Sequence, residues 1–351
     1  MISQLETPVL FIVFNRPDTT KIVFEAIREA RPTKLFIASD GPRYPLKHEY
    51  ALGLETRAIA EQVDWPCEVK TLFRDQNLGC GKGVSSAINW FFENVEEGII
   101  LEDDCLPSQD FFTFCSQLLA LYRTDQTVMT ICGTTLLEKK YREAPGHYLG
   151  NSNGVWGWAT WRRAWQLYDY EMKRLAEQGV QEKMKAFFNN DLVFDHVLDT
   201  FNLIVKAKMD TWDIQWYFTI LSNNAYAACP FQNMISNIGY QGAHDTEKSR
   251  LHDRKYLPID LNRVRLRCLD NVLVREAELY HFRFHGVYPK YVMLWRIEKK
   301  IFEFYVASAI RLLGQRPLRL EGYVSALRWH SKSFYRGLLR RVQNIVGVFS
   351  R

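Results

Sequence analysis

Residues 98–112 of this chain read GIILEDDCLPSQDFF, and they decide its fold class. The stretch opens with an apolar run that is typical of a buried strand and passes directly into three acids, Glu102, Asp103 and Asp104. Buried strands of this kind belong to parallel sheets that helices cover on both faces. In open α/β sheets, ligands bind outside the carboxyl ends of the strands. The three acids therefore mark a candidate binding edge.

Three adjacent carboxylates repel one another unless a cation neutralises them. Because this cluster offers only oxygen ligands, it favours a hard divalent cation, Mg²⁺ or Mn²⁺, of the kind that commonly bridges to substrate phosphates. The alternative at this point is a helix-capping acid beside two solvated acids.

The first hundred residues alternate between apolar runs and helical segments. The sequence predicts strands at 8–14, 34–39, 68–73 and 99–101, and helices at 19–30, 48–63 and 84–94. Continuous apolar strands that alternate with helices predict an α/β fold with a doubly wound, mostly parallel sheet flanked by helices. Since right-handed crossovers bring the carboxyl ends of parallel strands to one edge, the residues that follow the strands should meet there.

The residues expected at that edge are polar or charged. Besides the acids of 102–104, they are Asn15, Arg16, Asp40, Arg74 and Asn77. Each has an ordinary alternative as a turn or capping residue, so their convergence carries more weight than any single one. Lys82 follows in a glycine-rich stretch, GCGKG, and offers another positive charge for a ligand.

Residues 151–165 read NSNGVWGWATWRRAW, with four Trp and two Gly. Glycine lets a backbone approach a ligand closely, and exposing a large indole is costly. We therefore expect Gly157 and Trp158 to lie in a loop that faces a sugar or an acceptor. The alternative is a core aromatic cluster, which is equally compatible with Trp161 and Trp165.

Residues 210–216 read DTWDIQW and place Asp213 between two indoles. A carboxylate beside Trp212 and Trp216 is a candidate proton acceptor, because apolar surroundings raise a carboxyl pKa. Trp212 would then face the acceptor. Asp213 could equally cap the following helix. His244, in QGAHDT, could be a ligand or an ordinary loop histidine.

The C-terminal part of the chain is strongly basic. From residue 281 onward, fourteen Lys and Arg residues oppose three acids, whereas the whole chain has a net charge of +5. Helices are predicted at 292–313 and 323–349, and the second carries a basic stripe beside an apolar face. The stripe consists of Arg328, Lys332, Arg336 and Arg340. This pattern is typical of a helix that lies on an anionic membrane surface.

We therefore expect a catalytic or binding domain at 1–285 and a basic helical tail at 286–351. A tail packed on the body is the alternative, and nucleic acid is disfavoured because no recognised motif accompanies the charge. The seven Cys lack CxxC pairs and the eight His lack zinc spacing. No apolar run reaches the ~18 residues of a spanning helix. These features predict a cytoplasmic protein, peripheral on the inner face of the plasma membrane.

Over roughly residues 7–245, the chain resembles nucleotide-sugar glycosyltransferases of the GT-A fold. The resemblance is closest to the N-acetylglucosaminyltransferase I type and looser to family 2 transferases. The motifs that carry it are PVLFIVFNRPDTT, IASDG, RDQNLGCGKGVSSAINWFF, IILEDDCLPSQDFF, GVWGWATW and TWDIQW. The strand followed by EDD and DFF is the most specific of them.

The resemblance implies a role for each matching residue. Arg16 would contact the nucleotide diphosphate, and Asp40 would contact the base. Glu102 and Asp103 would face the donor sugar and ribose, while Asp104 would hold the Mn²⁺ or Mg²⁺. Asp213 would match the catalytic base.

The implied partners are a nucleoside-diphosphate sugar donor, with UDP favoured, and a glycan or lipid-linked glycan acceptor. An inverting transfer in surface polysaccharide or glycolipid assembly would follow. One alternative is a sugar-phosphate nucleotidyltransferase, which would need a glycine-rich loop where residues 14–17 read FNRP. The other is a non-catalytic, membrane-docked nucleotide-sugar binding protein.

Overall fold

The computed structural model describes residues 4–44, 46–135, 146–150, 154–188 and 191–239. His244 and the predicted tail at 286–351 lie outside these residues, so their proposed roles stay predictions. The strands are β1 (Val9–Val13), β2 (Lys34–Ser39), β3 (Glu68–Phe73), β4 (Glu97–Glu102), β5 (Cys105–Pro107), β6 (Val128–Cys132), β7 (His147–Gly150), β8 (Trp158–Trp161), β9 (Tyr226–Pro230) and β10 (Ile235–Asn237). The helices are α1 (Pro17–Ala30), α2 (Lys47–Ala60), α3 (Gly79–Asn94), α4 (Gln109–Leu121), α5 (Arg162–Trp165), α6 (Gln178–Phe188), α7 (Asp191–Ala207) and α8 (Asp213–Ser222), with a 3₁₀ helix at Lys173–Ala176.

In the described part of the chain, the strands form an eight-stranded mixed sheet in the order β3-β2-β1-β4-β8-β6-β9-β7. Strands β1 to β4 are parallel to one another. Strand β8 runs antiparallel to its neighbours β4 and β6, and β7 runs antiparallel to β9. A small antiparallel pair, β5 and β10, lies outside this sheet. The predicted α/β class is confirmed.

Helices cover both faces of the sheet because the strand residues alternate between them. In β1, Val9, Phe11 and Val13 belong to a core cluster that α1 and α4 complete. Leu10 belongs to the opposite cluster, which α3, α5 and α8 complete. A third cluster, centred on residues such as Phe201, joins α6 and α7 to the outer side of α8. The sheet is therefore doubly wound, as predicted.

Helix α3 starts earlier than the sequence predicts. The glycine-rich stretch suggests a loop up to residue 83, but the helix begins at Gly79. The first turn is stabilised from a distance, since the carboxylate of Asp210 accepts hydrogen bonds from the amides of Cys80 and Gly81. A cap that is remote in sequence leaves no local signal. None of the described helices combines the length and apolar character needed to cross a bilayer.

Candidate functional site

The strand order reverses between β1 and β4. The chain passes from β1 to β2 and β3 on one side, then crosses back to β4 on the other side of β1. The crevice outside the carboxyl ends of two such strands is where open α/β sheets bind ligands. Residues 14–16 follow β1 at this point, and Glu102 is the last residue of β4. The structure thus places the acids and Arg16 at the topological switch point.

Arg16 bridges two of the acids across this point. Its Nη1 donates to Asp104 Oδ2 over 2.8 Å, and its Nη2 donates to Asp103 Oδ1. The other oxygen of Asp103 accepts the Phe14 amide at 3.1 Å. Asp103 is only 2% exposed, so the guanidinium is the counter-charge that permits its burial.

The charges of this cluster shift one another's pKa values. Burial alone would lower the pKa of Arg16, but the charges of Asp103 and Asp104 and their hydrogen bonds outweigh it and raise the pKa. Burial raises the pKa of Asp103, although Arg16 opposes that shift. Burial, followed by the charges of Asp104 and Asp103, raises the pKa of Glu102 to about 8. The cluster is therefore dense in charge, as the sequence suggests.

The donor set can be tested for a divalent cation. Among the described residues, no group of three His, Cys, Asp or Glu side chains is arranged to hold a metal ion. Each oxygen of Asp103 and of Asp104 accepts a hydrogen bond inside the protein, the Oδ1 of Asp104 from the Cys105 thiol at 3.3 Å. The side chain of Asp103 is 3% exposed and that of Asp104 is 17% exposed. Since a carboxylate has about four acceptor positions, the more exposed Asp104 keeps positions for a further ligand. One accessible carboxylate fits Mg²⁺ or Mn²⁺ where substrate phosphates and water complete the coordination.

Three predicted site residues lie at this edge, and their side chains make hydrogen bonds within the protein: Asp40, Arg74 and Asn77. Asp40 accepts the amides of Leu78 at 2.8 Å and Gly41 at 3.0 Å, and burial raises its pKa against these bonds. Asn77 donates to the Gly41 carbonyl at 2.8 Å. Arg74 donates to a serine hydroxyl in α3 at 2.9 Å, and burial lowers its pKa. These hydrogen bonds hold the ends of β2 and β3 against the start of α3.

The side chain of Asn15 is held by a residue that sequence reasoning missed. Its Nδ2 donates to Glu49 Oε1 at 2.9 Å. The same buried carboxylate accepts from the Arg43 amide at 3.0 Å and from Arg43 Nε at 2.8 Å. Glu49 lies in the first turn of α2, where acids are common, and no local pattern distinguishes it.

Asp213 lies within electrostatic reach of the acids. It is the first residue of α8, and the Thr211 hydroxyl donates to its Oδ1. Its charge contributes, after burial and the nearer acids, to the raised pKa of Glu102. The Cys80 thiol is near the same acids. Its pKa is raised to about 12, mainly by burial and then by the charges of Glu102, Asp210 and Asp213. Arg16 acts on that thiol in the opposite direction.

Lys82 and Gly239 lie on two segments around the site. Lys82 is exposed in the first turn of α3. A Cβ at Gly239 would come within 2.5 Å of Asp104 Oδ2 and 2.9 Å of Arg16 Nη1, so this glycine allows the backbone to pass against the ion pair. The Ile238 amide also donates to the Asp104 carbonyl at 2.8 Å. A glycine two residues after a short apolar segment was the available sequence signal.

The predicted sugar-facing aromatics are core residues, which corrects that expectation. Trp158 and Trp212 are 1% and 3% exposed, and their rings stack with centroids 5.6 Å apart. Gly157 has φ +59, and a Cβ there would come within 2.4 Å of Ile235. A glycine is therefore required at this position by close packing against Ile235. The physical reason is that α3, α5 and α8 bury this face of the sheet.

No protein-family model matches this chain, and no curated protein matches it. Solved structures are similar at low identity. HddC from Yersinia pseudotuberculosis is 8% identical with a TM-score of 0.28, over 45% of this chain and 77% of that chain. A UDP-glucose pyrophosphorylase complexed with UDP-glucose is 16% identical with a TM-score of 0.23, over 42% of this chain and 63% of that chain.

Mouse xyloside xylosyltransferase 1 is 9% identical with a TM-score of 0.30, over 62% of this chain and 81% of that chain. At such scores, the similarities carry no argument about what this chain does.

Proposed function

We propose that this chain is a glycosyltransferase that moves a sugar from a nucleoside-diphosphate sugar, with UDP favoured, to a hydroxyl acceptor. The observation that carries the proposal is the guanidinium of Arg16, which bridges Asp103 and Asp104 at the switch point between β1 and β4. A ligand in that crevice meets a fixed positive charge, an accessible carboxylate and, within electrostatic reach, Asp213. The sequence motifs that resemble GT-A transferases support the same conclusion.

Arg16 suits the leaving diphosphate. A guanidinium has five N–H donors in a planar fork that matches phosphate oxygens, and two of its nitrogens are bonded to the acids. The remaining donors can bind phosphate while the acids keep the side chain in place. Fixed donors aimed at developing charge stabilise a transition state without reorganisation. Arg16 would therefore stabilise the charge that the departing diphosphate acquires, and exposed Lys82 would add to it.

Asp104 would hold Mg²⁺ or Mn²⁺ together with the donor phosphates. When bound, such a cation supplies Lewis-acid stabilisation of the leaving diphosphate. Asp103 would not hold the cation, because its side chain is only 3% exposed and is enclosed by Arg16 and the Phe14 amide. Its part is to orient Arg16. His244 is proposed as a second protein ligand from the sequence alone, since it lies outside the described residues.

Asp213 would accept the proton of the acceptor hydroxyl as that oxygen attacks the anomeric carbon. Attack from the face opposite the leaving diphosphate inverts the configuration. The Thr211 hydroxyl fixes one carboxylate oxygen of Asp213, which restricts its rotation. The acceptor is proposed to be a glycan or a lipid-linked glycan, presented at an anionic membrane surface that the basic tail at 286–351 binds.

The test is a panel of UDP-, GDP- and dTDP-sugars, incubated with Mn²⁺, Mg²⁺ or EDTA, with release of the nucleoside diphosphate as the readout. We expect metal-dependent release from one UDP-sugar. Formation of a nucleoside triphosphate from the sugar nucleotide and pyrophosphate would instead show a nucleotidyltransferase. Binding of the donor with no turnover, with or without sugar acceptors, would favour the non-catalytic alternative.

The same panel tests the metal role with Asp104→Ala. We expect calorimetry with UDP and Mn²⁺ to show that the metal-dependent part of the affinity is lost, because Asp104 is the accessible carboxylate. Asp125→Asn is the matched control, since Asp125 lies in a turn at the amino end of β6, away from the switch point. Full metal-dependent affinity in Asp104→Ala would contradict the assignment.

A further inference from the structure

The N-terminus of α3 is capped by an acid 130 residues away in the sequence. Helices leave their first amides without partners inside the helix. The N-cap residue of α3, Leu78, makes no side-chain capping bond. Instead, Asp210 Oδ2 accepts the Cys80 amide at 2.9 Å, and its Oδ1 accepts the Gly81 amide at 2.8 Å. Charged acceptors are strong at this position, because the helix dipole favours a negative charge.

Two glycines shape α3 for this contact. Gly79 has φ +81, which favours glycine, and a Cβ there would come within 2.4 Å of Asp210 Oδ2. A Cβ at Gly81 would come within 2.4 Å of the Tyr170 hydroxyl and 2.8 Å of the Thr211 carbonyl oxygen. The segment that contains Asp210 and Thr211 is therefore packed closely against the helix start.

The same segment leads directly to Asp213. The ring of Trp212 is buried in the core, and the Tyr168 hydroxyl donates to the Trp212 carbonyl at 3.0 Å. Thr211 donates its hydroxyl to the Asp213 carboxylate. Residues 210–213 are thus held at one end by α3 and in the middle by the core, so the backbone that carries Asp213 is fixed at two points.

We propose that Asp210 is the positioning residue for Asp213. The inference rests on the proposed function, in which Asp213 accepts the acceptor proton. Asp210 makes no contact with substrate in this account. It holds the segment that presents Asp213, and a catalytic group misplaced by about 1 Å can lose about 10²-fold in rate.

Asp210→Ala, Asp210→Asn and Asp213→Asn test the proposal, with Asp125→Asn as the matched control. Asp125 also accepts a backbone amide, from Thr127 at 2.8 Å, but at the opposite edge of the sheet. The measurements are kcat and KM for the UDP-sugar that the donor panel identifies, and the Kd of UDP. We expect kcat of Asp210→Ala to fall about 10- to 100-fold with donor KM and UDP affinity unchanged. Asp210→Asn keeps an acceptor oxygen, so its kcat should lie between those of the wild type and Asp210→Ala.

The variants separate the two hypotheses. Wild-type turnover in Asp213→Asn would overturn the proposed base, whatever Asp210 does. Collapsed turnover in Asp213→Asn with wild-type kcat in Asp210→Ala would overturn the positioning role and leave the proposed function intact. A rise in KM equal to the fall in kcat/KM would also overturn it, since this would place Asp210 in binding.

Hydrogen exchange supplies a readout that needs no substrate. In Asp210→Ala, we expect faster amide exchange in both 79–85 and 209–216, because the two segments are held by each other. Asp210→Asn should show a smaller change in the same two segments, and Asp125→Asn should show neither. Unchanged exchange in 209–216 of Asp210→Ala would overturn the proposal.

Discussion

Two regions of this molecule were both predicted to face a ligand from their sequence, and the structure places one at the switch point and the other in the core. The acids at 102–104 lie at the carboxyl end of β4, at the switch point, where Arg16 bridges two of them. Trp158 and Trp212 stack inside the core beneath α3 and α8. A buried carboxylate needs a counter-charge, whereas a buried indole gains free energy from burial itself. Clustered charge is therefore the better guide to a site than clustered aromatic residues.

The largest expected effect is on turnover, and it tests whether the charged region is catalytic. Asp213→Asn keeps the size of the side chain and an oxygen that can accept from Thr211, but it removes the basic carboxylate. We expect kcat to fall about 10²- to 10⁴-fold while UDP binding is retained. Steady-state kinetics beside Asp125→Asn measure it. Unchanged turnover would remove Asp213 from the mechanism.

The next largest effect is on stability, and it tests whether Arg16 is the counter-charge of buried Asp103. Arg16→Ala leaves Asp103 buried without its partner, so we expect the free energy of unfolding to drop by about 3–5 kcal/mol. Arg123→Ala is the matched control, because Arg123 is 61% exposed and pairs with Glu97 on the surface. Its loss should cost less than about 1 kcal/mol. Urea denaturation gives both values, and equal losses would contradict the distinction.

Substitution of Trp158 tests whether the indole cluster is a packed core. Trp158→Ala should lower the free energy of unfolding by about 3–5 kcal/mol, because it empties part of a packed core. Trp90→Ala, at a partly buried ring on the edge of the same cluster, should cost less. Trp158→Phe should keep the donor and acceptor KM values of the wild type. A raised acceptor KM at wild-type stability would restore the sugar-facing role.

A buried titratable group without a counter-charge sharpens the contrast with Asp103. His147 in β7 is fully buried, its Nε2 lies 2.7 Å from the Tyr122 hydroxyl, and burial lowers its pKa to about 4. In the unfolded chain its pKa is about 6.5, so the unfolded state binds more protons below that pH. This contribution to stability is complete above about pH 6.5 and is lost as the pH falls toward 4.

The loss of unfolding free energy that His147 causes should approach about 3 kcal/mol as the pH reaches 4. His147→Phe removes the titrating group and keeps a ring in the same place. Urea denaturation of both proteins between pH 7 and pH 4.5 is the measurement. We expect a shallower decrease in His147→Phe, and parallel curves would show that His147 is not the source.

The sequence predicts the elements whose signals are local. Continuous apolar runs predicted β1, β2 and β4, and the alternation of strands with helices predicted β3. The polar residues that follow these strands do lie at one edge of the sheet, and ligand binding there stays a prediction. The start of α3 was missed because its cap, Asp210, comes from a distant segment. Glu49 was missed because the fold brings Asn15 to it from 34 residues away, and because its bond to Arg43, six residues away, follows no recognised local pattern. Trp158 was misplaced because burial depends on which helices cover the sheet.

In the proposed function, the crevice between β1 and β4 holds the diphosphate of an activated sugar. The most direct measurement is a crystal structure with UDP and Mn²⁺. We expect the diphosphate beside the Arg16 guanidinium, with the cation on Asp104 and the base near the loops after β1 and β2. Nucleotide bound at another place, with Arg16 still paired to Asp103 and Asp104 and no ligand in the crevice, would contradict it.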